Sequence, residues 1–156
     1  MRPMSPEGSS LLFQAVPAAL KLSVQDKRVL RQFTKQVEQQ VTGGRTFCCL
    51  LTSDRELQRM NREFLQHDFP TDVLSFPAAS ANGTIGELAI STERAAAQAA
   101  EFGHTLLDEL RILMLHGVLH LTGMDHERDR GEMARAERKW RMQLGLPNSL
   151  IARTRQ

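Results

Sequence analysis

The chain has little cysteine, few aromatic residues and no long hydrophobic run. It contains no tyrosine and one tryptophan, and its two cysteines, Cys48 and Cys49, are adjacent. Adjacent cysteines cannot supply a disulfide framework, so we expect a reducing, cytoplasmic compartment. A membrane span needs about 20 consecutive apolar residues. No such run occurs, and the apolar stretch near the N-terminus is too short and broken for a signal peptide, so we expect no membrane partner.

A strong excess of one charge is also lacking. The chain has 20 basic and 18 acidic residues, which gives a formal net charge of +2. Arginine is nevertheless preferred to lysine, sixteen to four, and residues 127–156 hold eight basic residues against four acidic ones. Arginine suits phosphate and carboxylate groups because its guanidinium is a planar fork of donors. The composition is therefore compatible with a nucleic-acid partner, although a solvated helix with scattered charges explains it equally well.

The hydrophobic content of 41% and the charged content of 24% are those of an ordinary globular protein. The length of 156 residues predicts a single domain over 1–156, with frayed tails at 1–10 and 147–156. Strand patterns occur at 11–16, 46–52, 72–76 and 84–90, and helices are predicted after Ser23, Ser53, Ser91 or Thr92, Thr105 and from about Arg130. These elements predict an α+β fold in which about five helices cover a small mixed four-stranded sheet.

The helix predicted from Leu106 to about Thr122 is apolar on almost every side. A helix of this kind belongs in the middle of a domain, surrounded by other elements. It nevertheless contains two histidines, His116 and His120. We therefore expect one central buried helix that carries the functional side chains.

Residues 116–126 read HGVLHLTGMDH and place three of the five histidines within one short segment. His116 and His120 are four residues apart, so their rings lie one turn apart on one face of the helix. Gly123 can end the helix and reverse the chain, which would bring His126 to the same point. Three imidazoles on one side of an ion leave a position open for water, as in a catalytic zinc site. The alternative is that these are ordinary core or surface histidines.

The histidine spacing equals that of metzincin proteases, whose signature has a glutamate as general base in the second position. Here that position is Gly117, which argues against a protease. A glycine in the middle of a helix usually has a packing reason or an access reason, and a bare backbone at Gly117 could make room for a bulky substrate. Zinc suits three neutral imidazoles, and one Zn²⁺ per chain is the cofactor that we expect, although nickel and copper would also bind such a set.

Several segments between residues 45 and 140 together resemble one known family. They are Met60-Asn61 with Phe64, residues 70–77 (PTDVLSFP), residues 86–91 (GELAIS), Glu109-Leu110 and residues 116–126. In this order and spacing they resemble the YbeY family, which are metal-dependent endoribonucleases of ribosomal RNA maturation and ribosome quality control. The resemblance implies that His116, His120 and His126 are zinc ligands. It also implies single-stranded or ribosomal RNA as the partner, with ribosomal proteins or ribosome-associated factors as further candidates.

The sequence departs from the family at one position that bears on RNA binding. The family usually has an arginine after the aromatic residue, and Leu65 stands there. Arg62 or Arg59 on the same predicted helix could take that role, or both could be ordinary exposed arginines. Asp125 could orient a ligand imidazole or cap the turn after Gly123, and no catalytic side chain is assigned.

Three functions remain open at this point. The first is a metal-dependent endoribonuclease, and the second is a hydrolase of amides or esters that would need a carboxylate base near the metal. The third is a zinc-stabilised ribosome-assembly or RNA-binding factor with little catalysis of its own.

Glu109 lies on the same predicted helix as the histidines and could support a ligand or pair with Arg111 or Arg94.

Overall fold

The computed structural model describes residues 8–66, 71–78, 83–125 and 129–147. Within these ranges lie four strands, five α-helices and a short 3-10 helix at Ala18–Leu20. The strands are β1 (Ser10–Phe13), β2 (Thr46–Thr52), β3 (Val73–Pro77) and β4 (Thr84–Ser91). The helices are α1 (Val24–Gln40), α2 (Asp54–Leu65), α3 (Thr92–Phe102), α4 (Leu106–Leu121) and α5 (Glu132–Leu144). The α+β prediction is confirmed. The single-domain prediction over 1–156 stays a prediction, because most of both expected tails lies outside these ranges.

The four strands form one mixed sheet in the order β1-β2-β4-β3. Strands β1, β2 and β4 are parallel, and β3 runs antiparallel to β4. The edges of the sheet are therefore β1 on one side and β3 on the other. The two edge strands therefore lie on opposite sides of the molecule, with β2 and β4 between them.

Short polar side chains begin four of the five α-helices at the positions that the sequence predicts. Ser23 and Asp26 form a reciprocal capping box at the start of α1. The hydroxyl groups of Ser53, Ser91 and Thr105 each accept a hydrogen bond from the backbone N–H three residues further on. These bonds satisfy backbone donors that have no partner within the helix. The capping residues thus set where α1 to α4 begin.

Strand β1 is shorter than predicted and begins earlier. It ends at Phe13 instead of residue 16, because Ala15 has a left-handed φ of 59° that interrupts extended backbone. At the other end, Ser9 donates hydrogen bonds to Glu38 through its backbone N–H and its hydroxyl group, each at 2.7 Å. Ser9 and Ser10 therefore belong to the folded part of the chain.

Helix α4 is the central buried helix that the sequence predicts. Leu110, Met114, Leu115 and Val118 are fully buried between the sheet and the neighbouring helices. A Cβ atom at Gly117 would lie 2.8 Å from Leu88 Cδ1, so this glycine lets α4 approach the sheet closely. The structure thus supports the packing reason for this glycine, and the interpretation that it makes room for substrate is wrong. None of the helices described is long and apolar enough to cross a membrane.

Helical spacing in the sequence predicts that Leu57, Met60 and Phe64 of α2 and Met133, Trp140 and Leu144 of α5 face inward, which is correct in part. Leu57 is buried, but Phe64 is 62% exposed and meets Phe76 edge-to-face, with 6.2 Å between the ring centroids. Phe64 lies near the end of α2, where the helix offers no buried position. In α5, Met133 and Leu144 are buried as predicted, whereas Trp140 is only half-buried.

Candidate active site

A cleft of about 770 Å³ lies between the edge strand β3 and the helices α4 and α5. Strand β3 and the two residues before it form one wall, and Leu65 at the end of α2 contributes to the rim. His116 and His120 of α4 line the opposite wall together with Glu137 and Arg141 of α5. The cleft therefore brings polar side chains from the most buried helix into contact with open space.

His116 and His120 lie side by side in this cleft. Their ring centroids are 4.7 Å apart and the rings are inclined by 73°. Both residues are half-buried, and α4 ends directly after them with Gly123 at a φ of 104°. The predicted helix end and the pairing of these two imidazoles are thus found in the structure. The described residues contain no group of three or more potential metal ligands. The third predicted ligand, His126, lies outside the described residues.

Glu137 fixes the orientation of His116. Its Oε1 lies 2.5 Å from His116 Nδ1, and its Oε2 accepts a hydrogen bond of 3.2 Å from Arg141. A carboxylate beside Nδ1 favours the tautomer with the proton on Nδ1, in which Nε2 is the nitrogen that carries the lone pair. The Arg141 side chain is only 1% exposed, so this ion pair is held inside the protein. Glu137 and Arg141 therefore fix the orientation of the His116 ring in the cleft.

Glu137 and Arg141 are not among the site residues predicted from the sequence. The signal was present, because Met133, Glu137, Arg141 and Leu144 follow one another at helical spacing along one face of α5. Met133 and Leu144 were predicted to face inward. Two charged residues between them on the same face would have to be buried, and buried charges are rare unless they are paired or functional. This conflict marks both residues as candidates for the site.

The two arginines proposed as substitutes for the one missing at Leu65 do not line the cleft within the described chain. Arg59 forms ion pairs with Glu56 and with Glu63, the latter at 2.8 Å. The hydrogen bond with Arg59 lowers the pKa of the Glu56 carboxyl group. Arg62 is exposed on α2, and Leu65 itself is on the cleft rim with 38% of its surface exposed. The arginine that does reach the cleft is Arg141.

Other candidate side chains have structural partners. Asp72 lies at the cleft, and its carboxylate accepts a 3.1 Å hydrogen bond from Gln98. Asp129 accepts hydrogen bonds from the backbone N–H groups of Gly131 and Met133, at 2.9 and 2.8 Å. These bonds hold the backbone at the start of α5. Each of these acidic residues therefore orients backbone or a neighbouring side chain.

Three further residues from the sequence analysis lie in or near the core. Glu109 is fully buried in α4, while its two predicted partners form other ion pairs, Arg111 with Asp108 and Arg94 with Asp54. Burial raises the pKa of the Cys49 thiol, which agrees with a core residue and not with a nucleophile. Asp125 is half-buried after the end of α4.

An open cleft with paired, oriented imidazoles on a buried helix is the architecture of a metal-dependent hydrolase. Comparison with known proteins makes the class specific. The family profile described as Endoribonuclease YbeY matches residues 18–145. The chain is 51% identical to the Endoribonuclease YbeY of Solibacter usitatus, over 96% of this chain and 97% of that relative. It is 56% identical to the Endoribonuclease YbeY of Koribacter versatilis, over 67% of this chain and 68% of that relative.

A solved structure agrees with these sequence matches. The solution structure of TM1509 from Thermotoga maritima is similar with a TM-score of 0.54 and 30% sequence identity, and covers 84% of this chain and 85% of its own. The chain belongs to the YbeY family of endoribonucleases. Family membership confirms the resemblance found in the sequence and the prediction of a nuclease that hydrolyses RNA. Nothing in the comparisons favours the alternative of an assembly factor with little catalysis.

Proposed function

We propose that this chain is a zinc-dependent endoribonuclease that cuts single-stranded RNA in the cytoplasm during ribosomal RNA maturation and ribosome quality control. Ribosomal proteins or ribosome-associated factors are its further partners in this proposal. The observation that carries it is the pairing of His116 and His120 in the cleft, with Glu137 holding His116. Family membership supplies the class of reaction, and this geometry supports the cleft as its site.

His116, His120 and His126 would hold one zinc ion. The fit rests on the donor set, because two imidazoles one turn apart converge in open space and one of them has its Nδ1 occupied by a carboxylate. When bound, zinc lowers the pKa of a coordinated water molecule and polarises an oxygen of the substrate phosphate. The contribution of His126 follows from the spacing of the sequence motif and is part of the proposal.

The edge strand β3 can position the RNA backbone opposite the histidines. In the antiparallel register with β4, the backbone groups of Val73 and Ser75 point away from β4. Their N–H groups therefore stand along the free edge that lines the cleft, where they can donate hydrogen bonds to phosphate oxygens. Pro77 has no N–H and closes the strand, which limits pairing with another protein strand.

The size of the cleft supports a single strand as substrate. A volume of about 770 Å³ is in the range of sites that enclose a small ligand. A cleft of this volume can receive a few nucleotides of one strand.

The geometry does not support a hydrolase of amides or esters. That function predicts a carboxylate base near the metal, but the cleft carboxylates in the described part of the chain already have structural partners. The Glu137 carboxylate contacts His116 and Arg141. The Asp72 carboxylate accepts a hydrogen bond from Gln98, and that of Asp129 accepts hydrogen bonds from backbone N–H groups at the start of α5.

Cleavage of a single-stranded ribosomal RNA fragment tests the proposal, with zinc content measured on the same samples. The His120→Ala variant is expected to lose zinc and to lose at least about 100-fold in cleavage rate, because a zinc site with three protein ligands does not tolerate the loss of one. The matched control is His104→Ala, which removes a histidine remote from the cleft. Equal cleavage by His120→Ala and the parent protein would overturn the proposal.

A further inference from the structure

The outer face of α1 carries a row of three exposed cations: Arg28, Arg31 and Lys35. We call these three residues the α1 basic stripe. Their spacing of three and four residues places them above one another on one side of the helix, opposite the buried residues Leu30 and Val37. Three of the four lysines in the chain fall between residues 21 and 35, so this segment concentrates positive charge.

The acidic residues of α1 do not neutralise the α1 basic stripe. Asp26 accepts a hydrogen bond from the backbone N–H of Ser23 at 3.0 Å, as part of the capping box. Glu38 accepts both hydrogen bonds from Ser9. Each carboxylate therefore serves a structural purpose at one end of the helix, and the cations between them face solvent.

The cations of the stripe differ in this respect from the arginines that form ion pairs on other helices. No ion pair of the stripe occurs among the residues that the structure describes, and Arg28 donates a 3.3 Å hydrogen bond to the neutral side chain of Gln25. Four arginines on other helices do form ion pairs, namely Arg59, Arg94, Arg111 and Arg141. A row of cations without carboxylate partners is an electrostatic footprint for an anionic ligand.

Phe13 of β1 holds part of this surface in place. Its ring lies under the Arg31 guanidinium at 5.2 Å and under the Lys27 ammonium at 5.1 Å. Such cation–π contacts restrict the side chains before any ligand arrives, which reduces the entropy lost on binding. A shallow groove of about 350 Å³ runs beside the stripe and is lined by Val24, Arg28, Arg31, Gln32 and Lys35.

The α1 basic stripe and the catalytic cleft lie towards opposite edges of the sheet. Helix α1 packs against β1, whereas the cleft is lined by β3, and β2 and β4 lie between these two edge strands. A ligand that reaches both must be long. The chain belongs to an endoribonuclease family, and RNA is both long and anionic.

We propose that the α1 basic stripe is a second RNA-binding surface, which binds the phosphate backbone of the substrate outside the cleft. This inference rests on the endoribonuclease function and not on the zinc site. From Arg28 to Lys35 the helix rises about 10 Å. One nucleic-acid strand in helical form carries about three phosphates over that length, which matches the three cations.

Several features favour RNA over an acidic protein as the occupant. The stripe repeats one kind of charge at regular spacing, as a phosphate backbone does. None of the described residues that line the groove is aromatic, and Val24 is the one apolar side chain among them, whereas the centres of protein interfaces are rich in aromatic anchors.

The test compares two variants with the same loss of charge. Arg28→Gln/Lys35→Gln removes two cations of the stripe and leaves the Phe13 contacts intact. Arg55→Gln/Lys139→Gln removes one exposed arginine and one exposed lysine elsewhere. The affinity for a single-stranded RNA of about 25 nucleotides is measured over a range of salt concentrations, and the RNA is checked for integrity after each titration.

The stripe variant is expected to bind the long RNA about tenfold more weakly at 0.1 M salt, and its slope of log affinity against log salt should fall by about 1.4, because each phosphate contact contributes about 0.7. The control variant should keep the parent slope. Cleavage of an RNA of about five nucleotides, which fills the cleft alone, should be unchanged in both variants.

Equal slopes and affinities for the stripe variant and the control would overturn the inference. So would a stripe variant that binds RNA normally but loses affinity for polyglutamate, since the occupant would then be an acidic protein. Failure of the parent protein to cleave RNA would count against the proposed function alone, because the salt slope is a property of binding.

Discussion

At the scale of single residues, Glu137 is the side chain on which the geometry of the proposed metal site depends most. It contacts His116 with one carboxylate oxygen and Arg141 with the other. The buried guanidinium of Arg141 keeps a negative charge next to His116, and the negative charge keeps the imidazole proton on Nδ1. Three residues from two helices thus act together to aim one nitrogen atom into the cleft.

The substitution Glu137→Gln should weaken zinc binding about 10- to 100-fold, because partners of metal-bound histidines typically contribute that much to affinity. The amide keeps the size of the side chain but removes its charge, so it orients His116 less firmly. Competition with a chromogenic chelator measures the zinc affinity directly. The control Glu87→Gln removes a carboxylate from an exposed position on β4. Identical zinc affinities for the two variants would show that Glu137 has no such role.

At the scale of secondary-structure elements, the close contact between α4 and the sheet positions both histidines. Gly117 lies between His116 and His120 in the sequence and against Leu88 and Val73 in space. The Ser75 hydroxyl group also donates a 3.2 Å hydrogen bond to the Gly117 carbonyl, which ties α4 to β3. The wall that carries the histidines and the wall formed by β3 are therefore held at a fixed separation.

Gly117→Ala should destabilise the protein by about 1–2 kcal/mol. The new methyl group would clash with Leu88 Cδ1, and this overpacking exceeds the roughly 1 kcal/mol that alanine gains over glycine within a helix. Urea denaturation measures the change in the free energy of unfolding. In a Leu88→Ala background the clash is absent, so adding Gly117→Ala should cost nothing further. A more stable Gly117→Ala protein would contradict this account of the helix–sheet contact.

Most of these elements could be predicted from the sequence because their signals are local. Ser23, Ser91 and Thr105 cap helices where hydroxyl groups precede periodic apolar residues, and the apolar surface of α4 predicts its burial. The pairing of His116 with His120 follows from helical spacing alone. Such features depend on residues within one or two turns of each other.

Features that depend on tertiary contacts could not be predicted in this way. Glu137 is 21 residues from His116, and helical periodicity does not reveal which distant side chain it will meet. The exposure of Phe64 depends on where α2 passes the end of the sheet. The early end of β1 depends on the backbone conformation of Ala15, a residue without a strong turn preference.

At the scale of the whole molecule, the fold separates two functions between the edges of one sheet. In the two proposals, the cleft at β3 would hold the reacting part of the RNA, and the α1 basic stripe towards β1 would hold a more distant part of its backbone. The net charge of +2 conceals this local concentration of positive charge, because the described residues include no ion pair of the stripe. Such a division lets a small enzyme bind a long substrate firmly while its cleft contacts only a few nucleotides.

Titration of chelator-treated protein with zinc tests the central claim most directly. The rate of cleavage of single-stranded RNA is followed as zinc is added, with His120→Ala treated identically. The account predicts negligible activity without zinc, a linear rise to one zinc ion per chain, and no recovery in the variant. Full activity of the metal-free protein, or recovery of His120→Ala at the same zinc concentration as the parent, would contradict it.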